Sequence, residues 1–134
     1  MKTILVADDD RNICEFCRRE LEDEGYRVMV VYDGAAAVAS VSQGAPDLVI
    51  LDISMPGLNG LEATERIRVI NADVPVILFT SFHESCLGDR RSSLATACVE
   101  KCEDLSELKR AIVRSLKSPR ESESLHLGLP PAPA

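Results

Sequence analysis

The feature of the sequence that most constrains its fold is a regular alternation of short apolar runs with segments of helical spacing. Five runs are typical of strands: TILVA (3–7), RVMVVY (27–32), DLVIL (47–51), PVILFT (75–80) and the weaker ACVE (97–100). Between them, apolar side chains recur three or four positions apart, as in Ile13, Phe16, Cys17 and Leu21. Runs of Val, Ile and Leu that alternate with amphipathic helices are typical of a parallel sheet covered on both faces. We therefore predict an α/β fold with a doubly wound sheet of five parallel strands.

Glycine and proline mark the ends of the predicted helices. Gly25 ends the first helix, and Gly44-Ala45-Pro46 ends the alanine-rich second one. The weakest helix is predicted between the fourth and fifth strands, in HESCLGDRRSSL (83–94), because this segment contains Gly88 and few apolar positions. We expect its bounds to be poorly defined and its position to change easily.

The chain is expected to form one domain with a tail. Its 134 residues are enough for a single buried core. From Ser118 the composition changes, since SPRESESLHLGLPPAPA (118–134) holds four of the seven prolines and has no helical period. We predict a folded domain over residues 1–117 and a disordered Pro/Ser-rich tail over residues 118–134.

Charge and hydropathy exclude two classes of partner. Fifteen basic residues against 22 acidic ones give a net charge of −7, and no long basic run is present, which argues against nucleic-acid binding. The apolar stretch Ile4–Ala7 is too short for a signal peptide, and no stretch approaches the roughly 18 apolar residues of a membrane span. We therefore expect a cytoplasmic protein that binds another protein or a small anion.

The cysteines are expected to be reduced thiols. Five of them in a chain without a predicted secretion signal do not suggest a disulfide framework. Cys14 and Cys17 form a C-x-x-C pair on the first predicted helix. Their spacing favours two small side chains on one buried stripe over a zinc or redox site.

Polar side chains follow the predicted strands where each strand ends. They are Asp8 and Asp9 after the first strand, Asp52 after the third, Thr80 and Ser81 at the end of the fourth, and Lys101 after the fifth. The carboxyl ends of parallel strands lie at one edge of the sheet, where ligands bind, so we expect these side chains to lie close together. Clustered carboxylates repel one another unless a cation is present. Mg²⁺ suits such an all-oxygen site.

These residue types fit phosphoryl transfer. Asp52 is placed to act as a nucleophile toward a phosphoryl group, as carboxylates do when they form aspartyl phosphates. Mg²⁺ and Lys101 would offset charge on the phosphoryl oxygens, and Thr80 would donate its hydroxyl to the product. Asp10 has a plainer interpretation, as the N-cap of the first helix.

Over residues 1–117 the sequence resembles the receiver domain of bacterial two-component response regulators. Four blocks carry the resemblance: ILVADDD, LVILDISMPGLNGLE, PVILFTS and VEK. The resemblance implies a chemotaxis-regulator-like single domain with the flavodoxin-like strand order 2-1-3-4-5. It also implies a metal site, in which Asp8 and Asp9 are the acidic Mg²⁺ pair, Asp52 is a further ligand, and Ser54 offers its backbone carbonyl.

The same resemblance implies a phosphorylation-dependent switch. Asp52 is then the phosphoacceptor, Thr80 the switch hydroxyl and Lys101 the phosphate-pairing lysine. The expected partners are a sensor histidine kinase or a phosphotransfer protein as donor, and a downstream protein target. The expected state is a monomer or weak dimer. The protein would not be an enzyme beyond self-catalysed phosphotransfer and autodephosphorylation.

Three positions depart from the family pattern and keep two alternatives open. Cys102 follows the lysine where proline is usual, Leu94-Ala95 replaces Gly-Ala, and Cys98 stands where the family has a Tyr or Phe switch. One alternative is therefore a receiver-like interaction module that acts without phosphorylation. The other is a phosphatase of the haloacid-dehalogenase kind, but that family has an acid two residues after its nucleophile, where this chain has Ser54.

Overall fold

A computed structural model describes residues 1–44, 46–81 and 89–117 of the chain. These residues form five strands: β1 (Thr3–Ala7), β2 (Arg27–Val31), β3 (Leu48–Leu51), β4 (Val76–Thr80) and β5 (Ala97–Glu100). They also form four α-helices: α1 (Arg11–Asp23), α2 (Gly34–Ser42), α3 (Gly60–Ile70) and α4 (Ser106–Leu116). A 3₁₀ helix (Arg90–Leu94) precedes β5.

The strands form one parallel sheet in the order β2-β1-β3-β4-β5. The register pairs Ala7 with Leu51, Leu51 with Leu78, and Thr80 with Glu100. The predicted doubly wound, flavodoxin-like order 2-1-3-4-5 is thus confirmed. Because all strands run in the same direction, the residues that follow β1, β3, β4 and β5 meet at one edge of the sheet.

Helices cover the sheet on both faces, because strand side chains alternate between the two faces. On one face Ile4, Val6 and Ile50 pack with apolar side chains of α1 and α4. On the other face Leu5 and Val49 pack with those of α2 and α3. Every residue of β3 is buried, which explains why its sequence is a continuous apolar run rather than an alternating one.

Local signals mark the helix ends, and those at Asp10 and Gly25 were predicted. The carboxylate of Asp10 accepts hydrogen bonds from the backbone N–H groups of Asn12 and Ile13, so Asp10 is the N-cap of α1 as predicted. Just beyond the C-terminus of α1, Gly25 has a φ of +95°, which glycine adopts without strain. At the start of α3, Asn59 and Glu62 form a reciprocal capping box.

The described part of the predicted fourth helix, residues 89–94, is not α-helical. Arg90–Leu94 is a 3₁₀ helix without a buried residue. The Ser92 and Ser93 hydroxyls donate to the carbonyls of Asp89 and Arg90, which favours a tight local turn over a regular helix. The other predicted residues, 83–88, lie outside the described residues, and so does the predicted tail 118–134.

No helix within residues 1–44, 46–81 and 89–117 has the length and apolar character that a membrane crossing requires.

Candidate functional site

The structure places the predicted polar residues together at the C-terminal edge of the sheet. Asp8 follows β1, Asp52 follows β3, Thr80 is the last residue of β4, and Lys101 follows β5. Asp8, Asp52 and Thr80 are buried, whereas Asp9 is exposed. The site is therefore a buried set of polar groups with one carboxylate at its solvent side.

Three carboxylates form a group that is suited to a metal ion. One oxygen from each of Asp8, Asp9 and Asp52 lies within 4.8 Å of the others. An all-oxygen set with one exposed member leaves room for water ligands, which Mg²⁺ retains when it binds to proteins. The residues present thus fit the Mg²⁺ ion that the sequence predicts.

Lys101 is the cation of this site. Its Nζ lies 2.6 Å from Asp8 Oδ2 and 3.2 Å from Asp52 Oδ2, and its side chain is 15% exposed. The ammonium also lies 6.0 Å from the centre of the Phe79 ring. The backbone N–H of Lys101 donates to the Thr80 carbonyl at 2.9 Å, which joins the lysine to β4. The sequence did not predict that Phe79 contacts the site, because Phe79 is simply one residue of an apolar strand.

The ionisation of Asp52 and Lys101 reflects their burial and their mutual contact. Burial raises the pKa of Asp52 most, and the charge of Asp8 raises it further, against the opposing effects of Lys101 and of the Ser54 backbone N–H. Burial acts to lower the pKa of Lys101, but its hydrogen bond to Asp8 and the charges of both carboxylates outweigh this, so the pKa is raised. The negative charge of Asp52 therefore destabilises the folded state unless a further cation is present.

Every polar group of Asp8 has a partner. Its backbone N–H donates to the Val31 carbonyl at 3.2 Å, and its Oδ1 accepts the Asp10 N–H at 2.9 Å. Its Oδ2 accepts from Lys101, and its backbone carbonyl accepts the Cys14 thiol at 3.2 Å. The contact with Cys14 is not apparent from the sequence, since apolar spacing alone places this residue in the core.

Gly60 lets α3 approach the backbone of Asp52. A Cβ atom at position 60 would lie 2.2 Å from the Asp52 carbonyl oxygen, closer than real Cβ atoms come. The Gly60 N–H donates to the Ile53 carbonyl at 2.9 Å, so the start of α3 is tied to the segment after β3. Gly60 was not among the predicted site residues, although it ends the block MPGLNG, in which Gly57 has a φ of +71°.

We expect Gly60→Ala to destabilise the fold by about 2 kcal/mol or more, because backbone atoms must move to admit the methyl group. This would occur although alanine is favoured over glycine in helices by about 1 kcal/mol. Urea unfolding of the full chain measures the effect. The matched control is Gly44→Ala, where a Cβ atom meets nothing within 4 Å and only the φ of +73° is unfavourable. A Gly60→Ala protein as stable as wild type would contradict the close approach.

Among the cysteines that the structure describes, one differs from the prediction. Cys14 and Cys17 are buried in the core, and burial raises the pKa of Cys14 to about 11 and that of Cys17 to about 12. Both are therefore protonated at neutral pH, which fits the buried-stripe interpretation. Cys102 is free and exposed. Cys98, however, is disulfide-bonded, so the prediction that all five are reduced thiols is wrong for this residue.

Solved structures of a response regulator and of the receiver domain of a sensor histidine kinase share this fold and 30–40% of the sequence. TrrA from Thermotoga maritima in complex with Mg²⁺-BeF is 39% identical, with a TM-score of 0.82, over 86% of this chain and 99% of that one. TrrA in complex with the histidine kinase ThkA is 40% identical, with a TM-score of 0.80, over 87% and 99%. The receiver domain of the sensor histidine kinase PA1611 from Pseudomonas aeruginosa, with a magnesium ion in its active-site cleft, is 30% identical, with a TM-score of 0.76, over 87% and 98%.

Curated relatives are longer than this chain. The response regulator MprA of Mycobacterium avium is 32% identical over 128 residues, which cover 91% of this chain and 55% of MprA. The chain thus spans about half the length of the curated relatives it matches. Residues 4–113 match the response regulator receiver domain, and the chain belongs to this family.

Proposed function

We propose that this receiver domain is a phosphorylation-dependent signalling switch that accepts a phosphoryl group on Asp52 in the presence of Mg²⁺. The observation that carries the proposal is the convergence of the three carboxylates with Lys101. Its ammonium contacts both Asp8 and Asp52, while the Asp9 carboxylate lies beside them on the solvent side. Positive charge beside the Asp52 carboxylate supports its role as the nucleophile, because negative charge on the phosphoryl oxygens would be offset there.

We assign the metal ligands to the carboxylates of Asp8, Asp9 and Asp52 and to the backbone carbonyl of Ser54. Support comes from the distances of at most 4.8 Å among the carboxylate oxygens and from the position of Ser54, two residues after Asp52. When bound, Mg²⁺ would offset negative charge on the phosphoryl oxygens. The relatives TrrA and PA1611 were solved with magnesium, which supports the choice of ion.

In the proposed transfer, a carboxylate oxygen of Asp52 forms the bond to phosphorus. The phosphorus–nitrogen bond of a phosphohistidine donor breaks, and the donor imidazole keeps the electron pair and takes up a proton. Lys101 then pairs with a phosphoryl oxygen, since its ammonium already lies 3.2 Å from Asp52. Thr80, at the end of β4, donates its hydroxyl to another oxygen. The added charge of about −1.5 to −2 draws both residues inward.

The phosphoryl donor that we propose is a sensor histidine kinase or a phosphotransfer protein, because the relative TrrA was solved in complex with the histidine kinase ThkA. The output would be contact with a downstream protein, in a protein that works in the cytoplasm as a monomer or weak dimer. We propose no catalytic turnover beyond self-catalysed phosphotransfer and autodephosphorylation. A net charge of −7 disfavours nucleic acid as a partner of this chain.

One experiment separates this function from the two alternatives. The full chain is incubated with the small phosphodonor phosphoramidate and Mg²⁺, and the products are followed by mass spectrometry. A single phosphoryl group on the protein supports the switch. No labelling would indicate an interaction module that acts without phosphate, for which Cys98 at the usual switch position is the argument. In a parallel incubation with p-nitrophenyl phosphate, turnover of this organic phosphate would indicate a phosphatase, which Ser54 disfavours because it replaces the acid of that family.

Mg²⁺ is expected to stabilise the fold, because it binds the folded carboxylate cluster and relieves repulsion there. At ten times its dissociation constant the gain is about 1.4 kcal/mol, which raises the melting temperature by about 5 °C. Asp9→Ala should remove most of this rise. The control is Asp10→Ala, which loses the N-cap and about 1 kcal/mol but keeps the response to Mg²⁺. An undiminished rise in Asp9→Ala would count against the metal site.

A further inference from the structure

The thiol of Cys14 contacts the backbone of the residue that begins the acidic turn. Asp8 and Asp9 lie between β1 and α1, and Cys14 is the fourth residue of α1. We infer that Cys14 is a positioning residue for metal binding, in that its S–H group holds the Asp8 carbonyl and so fixes the turn that carries Asp8 and Asp9. The inference rests on the proposed function, since it concerns the same site.

The geometry that carries this inference consists of two carbonyls and one buried thiol. Cys14 Sγ lies 3.2 Å from the Asp8 carbonyl oxygen and 4.0 Å from that of Val31. Cys14 is 1% exposed and Asp8 is 2% exposed, so water does not substitute easily for the thiol. The Asp8 N–H donates to the same Val31 carbonyl at 3.2 Å. The thiol thus joins α1 to the ends of β1 and β2 where the acidic turn begins.

The contact restrains the orientation of the Asp8 peptide. The backbone of Asp8 is held at its N–H by β2 and at its carbonyl by α1, while its side chain accepts from the Asp10 N–H and from Lys101. Loss of the thiol bond would free the carbonyl, and with it the peptide that joins Asp8 to Asp9. Two carboxylates of the metal cluster depend on that peptide, so we expect the affinity for Mg²⁺ to fall before the capacity for phosphotransfer does.

Cys17 provides a matched control on the same helix. It is 0% exposed and belongs to the same core cluster as Cys14, so truncation at either position removes one buried sulfur. Within the described residues, Cys17 makes no hydrogen bond to Asp8. A difference in Mg²⁺ affinity between Cys14→Ala and Cys17→Ala would therefore result from the contact with Asp8 rather than from the loss of core volume.

The test measures two properties of the full chain as functions of Mg²⁺ concentration: the rise in melting temperature, which reports metal binding without phosphoryl transfer, and the rate of phosphorylation by phosphoramidate. It compares wild type, Cys14→Ala, Cys14→Ser and Cys17→Ala. For Cys14→Ala we expect the apparent dissociation constant for Mg²⁺, obtained from the melting temperatures and from the rates alike, to rise roughly two- to fivefold, the size of a weak hydrogen bond, with a smaller change in the maximal rate. Cys14→Ser, which retains a donor, should return the value toward wild type, and Cys17→Ala should not change it.

Two outcomes would overturn the inference while leaving the proposed function intact. One is an equal Mg²⁺ response in Cys14→Ala and Cys17→Ala, which would mean that only core volume matters. The other is a Cys14→Ser protein as impaired as Cys14→Ala, which would mean that hydrogen bonding is not involved. If wild type itself shows no Mg²⁺-dependent labelling, the proposed function fails and the inference fails with it.

Discussion

Asp52→Asn is expected to abolish phosphorylation completely while the protein remains folded. An amide is not a nucleophile toward phosphorus under conditions in which a carboxylate forms an acyl phosphate. An oxygen of Asp52 also lies 3.2 Å from the Lys101 ammonium, which would offset negative charge on the phosphoryl group during transfer. Phosphoramidate labelling followed by intact-mass spectrometry measures the effect. The control is Asp23→Asn at the end of α1, which should label as wild type does.

The same substitution is expected to stabilise the fold at neutral pH without Mg²⁺. The pKa of Asp52 is raised in the folded state, first by burial and then by the charge of Asp8. A carboxyl group with a raised pKa binds its proton more tightly when folded, so the stability it contributes is present below its unfolded pKa and is lost as pH rises through the raised folded pKa. Asparagine carries no charge and avoids this loss. A phosphoryl group still found on Asp52→Asn would show that the acceptor lies elsewhere.

Lys101→Met is expected to cause the largest loss of stability among the site variants when Mg²⁺ is absent. The lysine contacts Asp8 and Asp52, whose side chains are 3% and 8% exposed, and removal of one partner leaves buried charge without compensation. Breaking a buried pair costs about 3 kcal/mol or more, which lowers the melting temperature by roughly 10 °C in a domain of this size. The variant should also take up phosphate far more slowly.

Mg²⁺ should restore part of that stability, because a cation again faces the carboxylates. The rise in melting temperature on adding Mg²⁺ should therefore be larger in Lys101→Met than in wild type. The matched control is Lys109→Met, since Lys109 also bridges two acids, Glu20 at 2.9 Å and Glu24 at 3.5 Å, but at the surface. Equal losses in the two lysine variants would contradict the assignment of Lys101 to a buried ionic site.

Most of the sheet was predictable from local sequence. The predicted strands agree with the observed ones to within one residue at each end, as for DLVIL (47–51) and β3 (Leu48–Leu51). A strand buried on both faces must consist of apolar residues, so its length is readable from a single run of the chain. The N-cap role of Asp10 was predictable for a similar reason, because its partners are only two and three residues away.

Prediction was least accurate between β4 and β5. The segment before β5 was expected to be a weak helix, but Arg90–Leu94 forms a 3₁₀ helix. Its position depends on α3, since Arg68 Nε donates to the Leu94 carbonyl at 2.8 Å and Arg91 pairs with Glu65 at 3.6 Å. A segment with few apolar residues takes its conformation from contacts with residues distant in the sequence. The local spacing of apolar residues does not reveal those contacts.

The ends of the strands follow from the pattern of apolar residues, and with them the set of polar residues that meets at one edge of the sheet. The contacts among these residues depend on the packing of the whole domain: Lys101 lies nearer to Asp8 than to Asp52, the Cys14 thiol contacts the Asp8 carbonyl, and α3 approaches Asp52 at Gly60. The two differ in how far apart along the chain the interacting residues lie. Strand ends follow from side-chain patterns over a few residues, whereas these contacts depend on distances between elements up to 93 residues apart, which packing of the whole core sets.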